Sequence, residues 1–526
     1  MKRKPTSAAK TSPMRVVLVT LDNHLSSAVE RTARALKKEL PGLQLSMHAA
    51  TDWETDSEAL ARCREDIASG DIIVVTMLFM EDHIHAVLPA LSARREQCDA
   101  MVCCMSAAEV MRLTRMGRFS MDGPQSGPMA LLKRLRGTRK NGRKPAGAQQ
   151  LSVLRQLPRI LRFIPGTAQD LRAYFLTLQF WLASSEENLL RMVRFLVDRY
   201  ADGPRQALRG SLDAEPPIEY PELGVYHPRL KKRIGDRLSG MPRPKGGAHG
   251  TVGLLIMRSY VLAGNTAHYD RIIESFEARG LAVVPAFASG LDARPAARRF
   301  FMRDGRASVD AVVSLTGFSL VGGPAFNDAK AAEEMLAELD VPYIAAQPVE
   351  FQTLDQWEHS DHGLMPLEAT MMVAIPELDG ATGPIVYGGR SENGGAAAGH
   401  DMQPHPERVE TLVARVARLV SLRRTARAER KIAVVLFNYP PKAGSTGTAA
   451  HLSVFASLLN TLRALQAQGY TVDVPADVET LRDQIITGNA ASHGAHANVH
   501  ATIDVDDHVR REPWLSDIEA HWGLSL

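Results

Sequence analysis

The chain shows the same pattern three times: a short run of β-branched apolar residues followed by a stretch in which apolar positions recur with helical spacing. This alternation is typical of parallel sheets covered by helices on both faces. The first copy is the clearest, because the run RVVLVTL at residues 15–21 precedes a helical pattern that ends at Pro41 and Gly42. It predicts a doubly wound, flavodoxin-like domain of about 100 residues. Its predicted strands are residues 15–21, 43–48, 71–79 and 99–105, and its predicted helices are residues 24–40, residues 58–69 and a segment between the last two strands.

The segment after this first copy changes character twice. Residues 133–144 (KRLRGTRKNGRK) are rich in Lys and Arg and contain no acidic residue, which predicts a flexible, solvated linker. A surface for an anionic partner or membrane is the alternative interpretation. Residues 168–200 then place apolar side chains at helical spacing, so Phe180 and Trp181 are interpreted as core residues rather than ligand contacts.

A second copy of the strand and helix pattern spans residues 251–346, with strands predicted at 251–258, 281–287, 309–315 and 341–345. The third copy begins with KIAVVLFNYPP at residue 431. It continues through a predicted helix at 448–468 and a predicted strand at 470–474, and it becomes polar from residue 488.

A doubly wound sheet needs about four strands to close a core, so the third domain is expected to be incomplete. Its strand at 432–437 is expected to be poorly packed or completed by a partner. The predicted fold class is therefore α/β, with several flavodoxin-like or Rossmann-like parallel sheets, a helical segment and an incomplete last domain. The predicted organisation is a polar tail (1–13), a flavodoxin-like domain (14–130), a basic linker (131–165), a helical connecting segment (166–240), a second α/β domain (241–425) and the start of a third (426–526).

Composition narrows the class of protein without naming a partner. The 526 residues fit three or four domains, and 62 Lys and Arg against 59 Asp and Glu give a net charge of +3, which does not favour nucleic-acid binding. The four cysteines do not form a disulfide or paired metal-binding pattern, so a reducing cytoplasm is expected. No apolar run approaches the roughly 20 residues of a transmembrane helix. A cytoplasmic protein without a signal peptide is expected, and contact with a membrane surface remains open.

A nucleotide site is the first chemistry to test, because doubly wound sheets often hold phosphate at a glycine-rich turn. No Gly-Lys pair occurs in the chain, so a phosphate loop of the Walker type is absent. The turn NYPPKAGSTGTAAHL places Gly444 and Gly447 at a predicted helix start, where backbone N–H groups could bind a carboxylate. The alternative is a plain turn in which Ser445 or Thr448 caps the helix.

Two further patterns suggest chemistry more weakly. Ser319 follows a predicted strand in GFSLVGG, but the nucleophile elbow of serine hydrolases is not present. His493, His496 and His500 have spacings that could suit a metal, yet the surrounding Ser, Gly, Ala and Asn favour a solvated loop.

Three other stretches combine Pro or Gly with a carboxylate or His at the ends of predicted elements, where site residues often lie. Turn chemistry alone is the competing explanation. The stretches are EYPELGVYHP (219–228), SGLDARP (289–295) and PLEATMMVAIPELDG (366–380).

These stretches resemble the large, porphyrin-binding subunit of magnesium chelatase and, more distantly, the large subunit of aerobic cobaltochelatase. The resemblance extends over residues 14–523 and includes NYPPKAGSTGTAAHL, while MDGPQSGPMALLKRLRG at 121–137 favours magnesium over cobalt. The family's chain is roughly twice as long. Other segments that carry the resemblance are YPELGVYHP, GLLIMRSYVLAGNTAHYD, PAFASGLDARPA, SLTGFSLVGGPAFNDAKAAEE and VPYIAAQPVEFQTLDQWE.

The resemblance implies ATP-dependent insertion of Mg²⁺, as substrate, into protoporphyrin IX during chlorophyll or bacteriochlorophyll synthesis. It implies two smaller partner subunits that hydrolyse the ATP, and it places the metal-inserting residues in the part of the family's large chain beyond this one, so no catalytic residue is assigned. The residues that it suggests for one wall of the porphyrin cavity are Asn438, Tyr439, Gly444 and Gly447, with Glu350, Glu368 and His227 as further candidates.

Two other functions stay open at this point. The chain could be a binding module that holds porphyrin or partners without inserting metal. It could also be a cobaltochelatase subunit, although that type of chain is expected to lack the domain at residues 15–105.

Overall fold

The structure, a computed structural model, describes residues 10–21, 23–53, 56–122, 158, 161–323, 326–391, 401–439, 443–494 and 499–524. The chain divides into two compact units, Met1–Val420 and Ser421–Leu526. The predicted linker segment at 133–144 lies outside the described residues. None of the described helices is both long enough and apolar enough to cross a membrane.

The first sheet is the one predicted from the clearest sequence pattern. Its strands are Met14–Thr20 (β1), Leu43–Ala49 (β2), Ile72–Thr76 (β3), Ala100–Cys104 (β4), Arg115–Met116 (β5) and Phe119–Ser120 (β6). Their order is β2-β1-β3-β4-β5-β6, with β1 to β4 parallel and the last two antiparallel. This order is the predicted flavodoxin-like arrangement, in which the chain moves to one side of β1 and then to the other.

Alternate residues of β1 enter two different cores, as expected for a strand covered on both faces. Val16 and Leu18 pack with one layer of helices, whereas Val17 and Val19 pack with the other. The helices at Thr167–Leu182 and Glu186–Tyr200 belong to the first of these layers, so they complete the first sheet's core instead of forming a separate connecting layer. Phe180 is buried there, as predicted. The helices of this part are Ser26–Glu39 (α1), Ser57–Ser69 (α2), Glu81–Arg94 (α3), Ala108–Met111 (α4), Thr167–Leu182 (α5) and Glu186–Tyr200 (α6).

The second sheet contains all four strands predicted for the second copy. Its strands are Leu223–Tyr226 (β7), Ile234–Gly235 (β8), Gly250–Leu255 (β9), Leu281–Ala288 (β10), Ala311–Ser314 (β13), Tyr343–Thr353 (β16), Thr382–Arg390 (β17) and Met402–Pro404 (β18). Two small hairpins lie beside it, Met302–Arg303 (β11) with Arg306–Ala307 (β12) and Gly322–Gly323 (β14) with Phe326–Asn327 (β15). The order is β18-β17-β16-β13-β9-β10-β7-β8. The five strands from β17 to β10 are parallel, and antiparallel strands flank them.

Helices cover both faces of this sheet, and one glycine lets a helix approach it closely. A Cβ atom on Gly253 of β9 would lie 2.9 Å from the ring of Phe301. The absence of a side chain therefore makes room for the ring in the core. The helices are Arg258–Ala263 (α7), Ala267–Ala278 (α8), Arg294–Phe301 (α9), Ala329–Leu339 (α10), Leu354–Glu358 (α11), Pro366–Glu368 (α12), Ile375–Asp379 (α13) and Pro406–Arg424 (α14), with a π-helical segment at Ala369–Ala374.

The two strands predicted for the third copy do not form in the described part of the second unit. Residues 432–437 and 470–474 form no sheet, because a strand needs a hydrogen-bonded neighbour and the described part of this unit supplies none. The apolar side chains of 432–437 are largely exposed, as expected for a poorly packed segment, whereas Tyr470, Val472 and Val474 are half-buried. The helices of this unit are Val454–Ala467 (α15), Val478–Ile486 (α16), Ala490–His493 (α17), Val505–Arg511 (α18) and Leu515–Trp522 (α19).

Candidate functional site

The two sheets of the first unit meet at the carboxyl ends of their parallel strands. His24 follows β1, and its imidazole ring lies 5.7 Å from the ring of Tyr260, which follows β9. The guanidinium of Arg390, the last residue of β17, pairs with Asp52 beyond the end of β2 at 3.1 Å. Doubly wound folds bind ligands at this edge, so this meeting point is the candidate site. We define the carboxyl-edge junction as His24, Asp52, Tyr260, Asn265, Glu350 and Arg390.

Glu350 is the sequence-predicted residue that the structure brings to this junction. It lies near the end of β16, and its Oε1 accepts a hydrogen bond of 2.9 Å from the hydroxyl of Tyr260. Asn265 supports the other side, since its side-chain amide donates to the carbonyl of His24 at 3.5 Å and its Oδ1 accepts from the backbone N–H of Met402 at 2.9 Å. The junction therefore combines carboxylates, an arginine and aromatic rings, which can bind a ligand that is both flat and charged.

An uncharged cluster of aromatic rings around His268 packs against Tyr260. The His268 ring lies 3.8 Å from the ring of Tyr269 and 5.6 Å from that of Tyr260, while Tyr387 stacks on its other side at 6.0 Å. Burial lowers the pKa of His268 to about 3, so the imidazole is neutral. Burial also raises the pKa of Tyr269 and of Tyr387, whose hydroxyl donates to Leu315 O at 2.8 Å. The cluster holds the junction in place without adding charge to it.

Glu368 lies near the same strand end but has an internal role. Its side chain is fully buried and accepts hydrogen bonds from Gln352 Nε2 at 2.6 Å, from Met365 N at 3.1 Å and from Phe351 N at 3.2 Å. Both carboxylate oxygens are therefore used by the chain itself. Glu368 fixes the segment after β16 against the strand and does not face a ligand.

A second buried carboxylate fixes the glycine-bearing turn after β13. Asp379 accepts hydrogen bonds from the Ser319 hydroxyl at 2.5 Å and from Leu320 N at 2.9 Å, and burial raises the pKa of Asp379. The Ser319 hydroxyl also lies 2.8 Å from Asn327 Oδ1. Because these partners are a carboxylate and an amide rather than an imidazole, the geometry is that of a turn and not of a nucleophile with its base.

The carboxyl edge of the first sheet presents an apolar surface. Phe79, Met80 and Met105 are 58%, 45% and 36% exposed, on the segments that follow β3 and β4. Met77 and Met105 adopt left-handed backbone conformations with φ of +60° and +49°, and Met77 N donates to Met105 O at 2.9 Å. Such conformations are costly for residues other than glycine and concentrate at functional sites. We call Phe79, Met80 and Met105 the apolar edge.

His227 lies away from the junction. It follows β7, which runs antiparallel to β10, so it lies toward the amino ends of the parallel strands. The imidazole is fully buried, donates through Nε2 to Glu277 at 3.2 Å and accepts through Nδ1 from Arg229 N at 3.2 Å. Burial lowers its pKa against the opposing effect of Glu277. Its contacts are those of a packing residue at the opposite edge of the sheet.

The four candidate residues in the second unit lie on one turn. Asn438 bridges to Thr446, and Gly447 N donates to Phe437 O at 2.9 Å with a φ of +69° at Gly447. The helix after this turn begins at Val454, so Gly444 and Gly447 do not lie at its start and the predicted anion site at a helix end is wrong. The predicted cap by Ser445 or Thr448 is also wrong, because the helix begins after Ser453, and the Thr448 hydroxyl donates to Ser445 O instead. Tyr439 is 74% exposed on the turn.

The described part of the chain offers no second candidate centre. Among the residues that the structure describes, no three His, Cys, Asp or Glu side chains are grouped to hold a metal, and His496 lies outside them. A cavity of about 710 Å³ opens beside Asp99, which directly precedes β4 and so marks the amino edge of the first sheet. Its charged groups pair with one another, as when Asp170 accepts from Arg199 and Tyr200 at 3.1 Å each. This polar cavity lies at the opposite edge from the junction.

Sequence reasoning missed most of the junction. Tyr260, Asn265 and His268 occur in the quoted stretch GLLIMRSYVLAGNTAHYD, just after a predicted strand. Their position at a strand's carboxyl end was an available signal. Asp52 likewise follows a predicted strand, but nothing in the sequence pairs it with Arg390, because 338 residues separate them.

Comparisons with known proteins identify the family. A family model described as CobN/Magnesium Chelatase matches residues 178–525, and one described as a domain of unknown function (DUF3479) matches residues 15–175. The magnesium-chelatase H subunit of Cereibacter sphaeroides is 49% identical over 530 residues, which cover 98% of this chain and 44% of that protein. The chain thus spans less than half the length of this relative.

Similarity to cobalt-inserting relatives is weaker in sequence. Aerobic cobaltochelatase subunit CobN of Pseudomonas aeruginosa is 32% identical over 289 residues, covering 52% of this chain and 21% of that protein. The solved structure of the catalytic subunit of cobaltochelatase from Mycobacterium tuberculosis has the same fold over 97% of this chain and 36% of its own, with a TM-score of 0.57 and 18% identity. The presence of the first sheet therefore does not by itself separate the two metals. The chain belongs to the CobN/magnesium chelatase family and corresponds to the amino-terminal portion of the magnesium-chelatase H subunit.

Proposed function

We propose that this chain serves magnesium chelatase as the amino-terminal part of its porphyrin-binding subunit. The reaction is ATP-dependent insertion of Mg²⁺ into protoporphyrin IX on the route to chlorophyll or bacteriochlorophyll, with ATP hydrolysed by two smaller partner subunits. The observation that carries this proposal is 49% identity to a magnesium-chelatase H subunit across 98% of the chain.

The same comparison favours magnesium over cobalt. The cobaltochelatase relative aligns with only 52% of the chain at 32% identity, so the sequence of the remaining part supports the magnesium enzyme. The fold is common to both types and does not decide between them. A cobalt-inserting role is therefore the second candidate.

The reaction requires two pyrrole protons to leave and the tightly held water shell of Mg²⁺ to be removed. We assign neither step to a residue of this chain. Its proposed contribution is one wall of the porphyrin site, formed by the carboxyl-edge junction and the apolar edge. A porphyrin is a flat apolar ring with carboxylate arms, which suits exposed Phe79, Met80 and Met105 at the sheet edge that also carries His24 and Asp52 of the junction.

The seven sequence-predicted residues take different parts in this proposal. Glu350 contacts the ligand at the junction, where it is already held by Tyr260. Glu368 and His227 stabilise the fold and do not contact the ligand, since both are fully buried and hydrogen-bonded. The turn of the second unit, which contains Asn438, Tyr439, Gly444 and Gly447, is proposed separately as a place where porphyrin binds.

Titration of the purified chain with deuteroporphyrin, followed by porphyrin fluorescence, tests the proposal. We expect binding that Phe79→Ser weakens by about fivefold, because losing part of an aromatic contact costs about 1 kcal/mol. Glu350→Gln is compared with Glu333→Gln, a matched change at an exposed position of α10. Tyr439→Ser measures the contribution of the second unit.

Addition of Mg²⁺, ATP and the two partner subunits then separates the remaining functions. Binding without metal insertion identifies a porphyrin platform, whereas insertion shows an active subunit. Insertion of Co²⁺ into a carboxylated corrinoid, with no use of Mg²⁺, would favour the cobalt-inserting role. An absence of porphyrin binding, or equal effects of Glu350→Gln and Glu333→Gln, would refute the proposed wall.

A further inference from the structure

Two segments of the second unit have the sequence of buried strands but belong to no sheet of the described residues, and the first of them is open to solvent. In residues 432–437, Ile432, Val434 and Phe437 are largely exposed and Val435 is 93% exposed. In an extended chain such a run would present apolar side chains on both faces, as in the central strands of parallel sheets. Residues 470–474 (YTVDV) form the second segment. We call 432–437 and 470–474 the open strand pair.

The two segments begin side by side. The Thr471 hydroxyl donates to Ala428 O at 2.8 Å, and the Arg430 guanidinium lies 3.4 Å from the Tyr470 hydroxyl. Helix α15 connects them, and Gln466 at its end donates to Val472 O at 3.1 Å. The order along the chain is thus segment, helix and segment, as in a βαβ unit, with the starts of the two segments in contact.

Within the described residues, these segments lack the backbone hydrogen bonds that would join them into a sheet. Within the described part of the second unit, no backbone hydrogen bond joins 432–436 to another strand. Two strands alone are marginal in water, and an apolar central strand needs a neighbour on each side and cover on each face. Among the residues that the structure describes, the open strand pair therefore lacks the neighbours that an apolar strand of a parallel sheet requires.

We infer that the open strand pair is a docking surface for the carboxy-terminal portion of the magnesium-chelatase H subunit, either within one longer polypeptide or as a separate one. That portion exists in the relatives, because the matched region covers only 44% of the Cereibacter sphaeroides protein. The family match runs to residue 525, so the open strand pair belongs to the family's common fold. The partner adds parallel strands beside 432–437 and helices over its two faces. This docking is independent of porphyrin binding.

Hydrogen exchange tests this inference on the whole chain. Exchange in 432–437 is measured in the 526-residue chain and in the same chain extended by the remaining carboxy-terminal portion of the Cereibacter sphaeroides protein. We expect fast exchange in the first protein and exchange slowed at least about 100-fold in the second, because ladder amides open only with their sheet.

Two substitutions that each introduce an aspartate form a matched pair, one in the open strand pair and one outside it. Val435→Asp should abolish the protection in the extended chain, whereas Asn460→Asp, at an exposed position of α15, should leave it unchanged. Both variants of the 526-residue chain should fold as the parent does, since both side chains are exposed.

Three results would overturn the inference. Slow exchange at 432–437 in the 526-residue chain as a monomer would show that the segment is already paired. Slow exchange accompanied by dimerisation would assign the surface to a second copy. Fast exchange in the extended chain would show that the carboxy-terminal portion does not pair with this segment.

Discussion

Acidification should weaken the second sheet through His268, which lies in the aromatic cluster behind the carboxyl-edge junction. The imidazole is buried among Tyr260, Tyr269 and Tyr387, and its Nδ1 has no hydrogen-bond partner among the described residues. Burial lowers its pKa to about 3, against about 6.5 for an exposed histidine. Between these two values the unfolded chain binds a proton that the folded chain excludes. Stability therefore falls as the pH drops below about 6.5.

The size of this effect follows from the two pKa values. One pH unit corresponds to about 1.4 kcal/mol for a single group, so lowering the pH from 8 to 5 should cost the folded state about 2 kcal/mol through His268 alone. His268→Phe keeps a ring in the cluster and removes the titrating group. We expect this variant to lose about 2 kcal/mol less than the parent chain over that range.

Native-state hydrogen exchange of β10 is a suitable assay, because Leu281, Val283 and Phe287 lie in the same core as Tyr269. The intrinsic exchange rate at each pH is divided out to give the free energy of opening. His362→Phe replaces an exposed histidine and serves as the control for removing an imidazole. Equal pH dependence in the parent chain and in His268→Phe would refute the argument that burial excludes the proton.

Two further predictions test how the first unit is held together. Gly253→Ala places a Cβ atom 2.9 Å from the Phe301 ring and should destabilise the second sheet by about 1–3 kcal/mol in thermal unfolding. Gly290→Ala is its control, because no atom lies within 4 Å of that Cβ, and an equal loss in both would contradict the packing argument. Arg390→Ala removes the 3.1 Å pair with Asp52 and should speed limited proteolysis of the segment after β2, while Arg303→Ala, on an exposed hairpin, should not. Unchanged cleavage in Arg390→Ala would show that the pair does not hold the junction.

Local pattern was sufficient to predict the four parallel strands of the first sheet, but not the short antiparallel strands β5 and β6. In β1, Val16 and Leu18 face one core, and Val17 and Val19 face the other. Because both faces are buried, the sequence of such a strand is an unbroken run of apolar residues. The same pattern predicted all four strands of the second copy. It could not predict that α5 and α6 return to the first sheet, because the chain between residues 123 and 157 carries no periodicity that would indicate where it leads.

The positions of the candidate residues were harder to predict, because a short stretch of sequence does not show at which edge of a sheet its residues lie. Glu350 and His227 both occur beside Pro or Gly near a predicted element end, yet β16 and β7 run in opposite directions. One residue therefore reaches the junction, and the other lies toward the amino ends of the strands. The run of Gly, Ser and Thr around Gly444 and Gly447 predicts a helix start, but the helical spacing of apolar residues begins only at Val454, where the helix itself begins.

The contrast between the two units bears on where a porphyrin can bind in this chain. Both faces of both sheets in the first unit are covered by helices, and the groups of the junction are fixed by buried partners such as His268. In the second unit, Val435 and Tyr439 are open to solvent. A site that is already ordered costs less free energy to occupy than one that must be ordered on binding. The junction should therefore supply most of the porphyrin affinity of this chain, and Tyr439→Ser should weaken binding less than Phe79→Ser does.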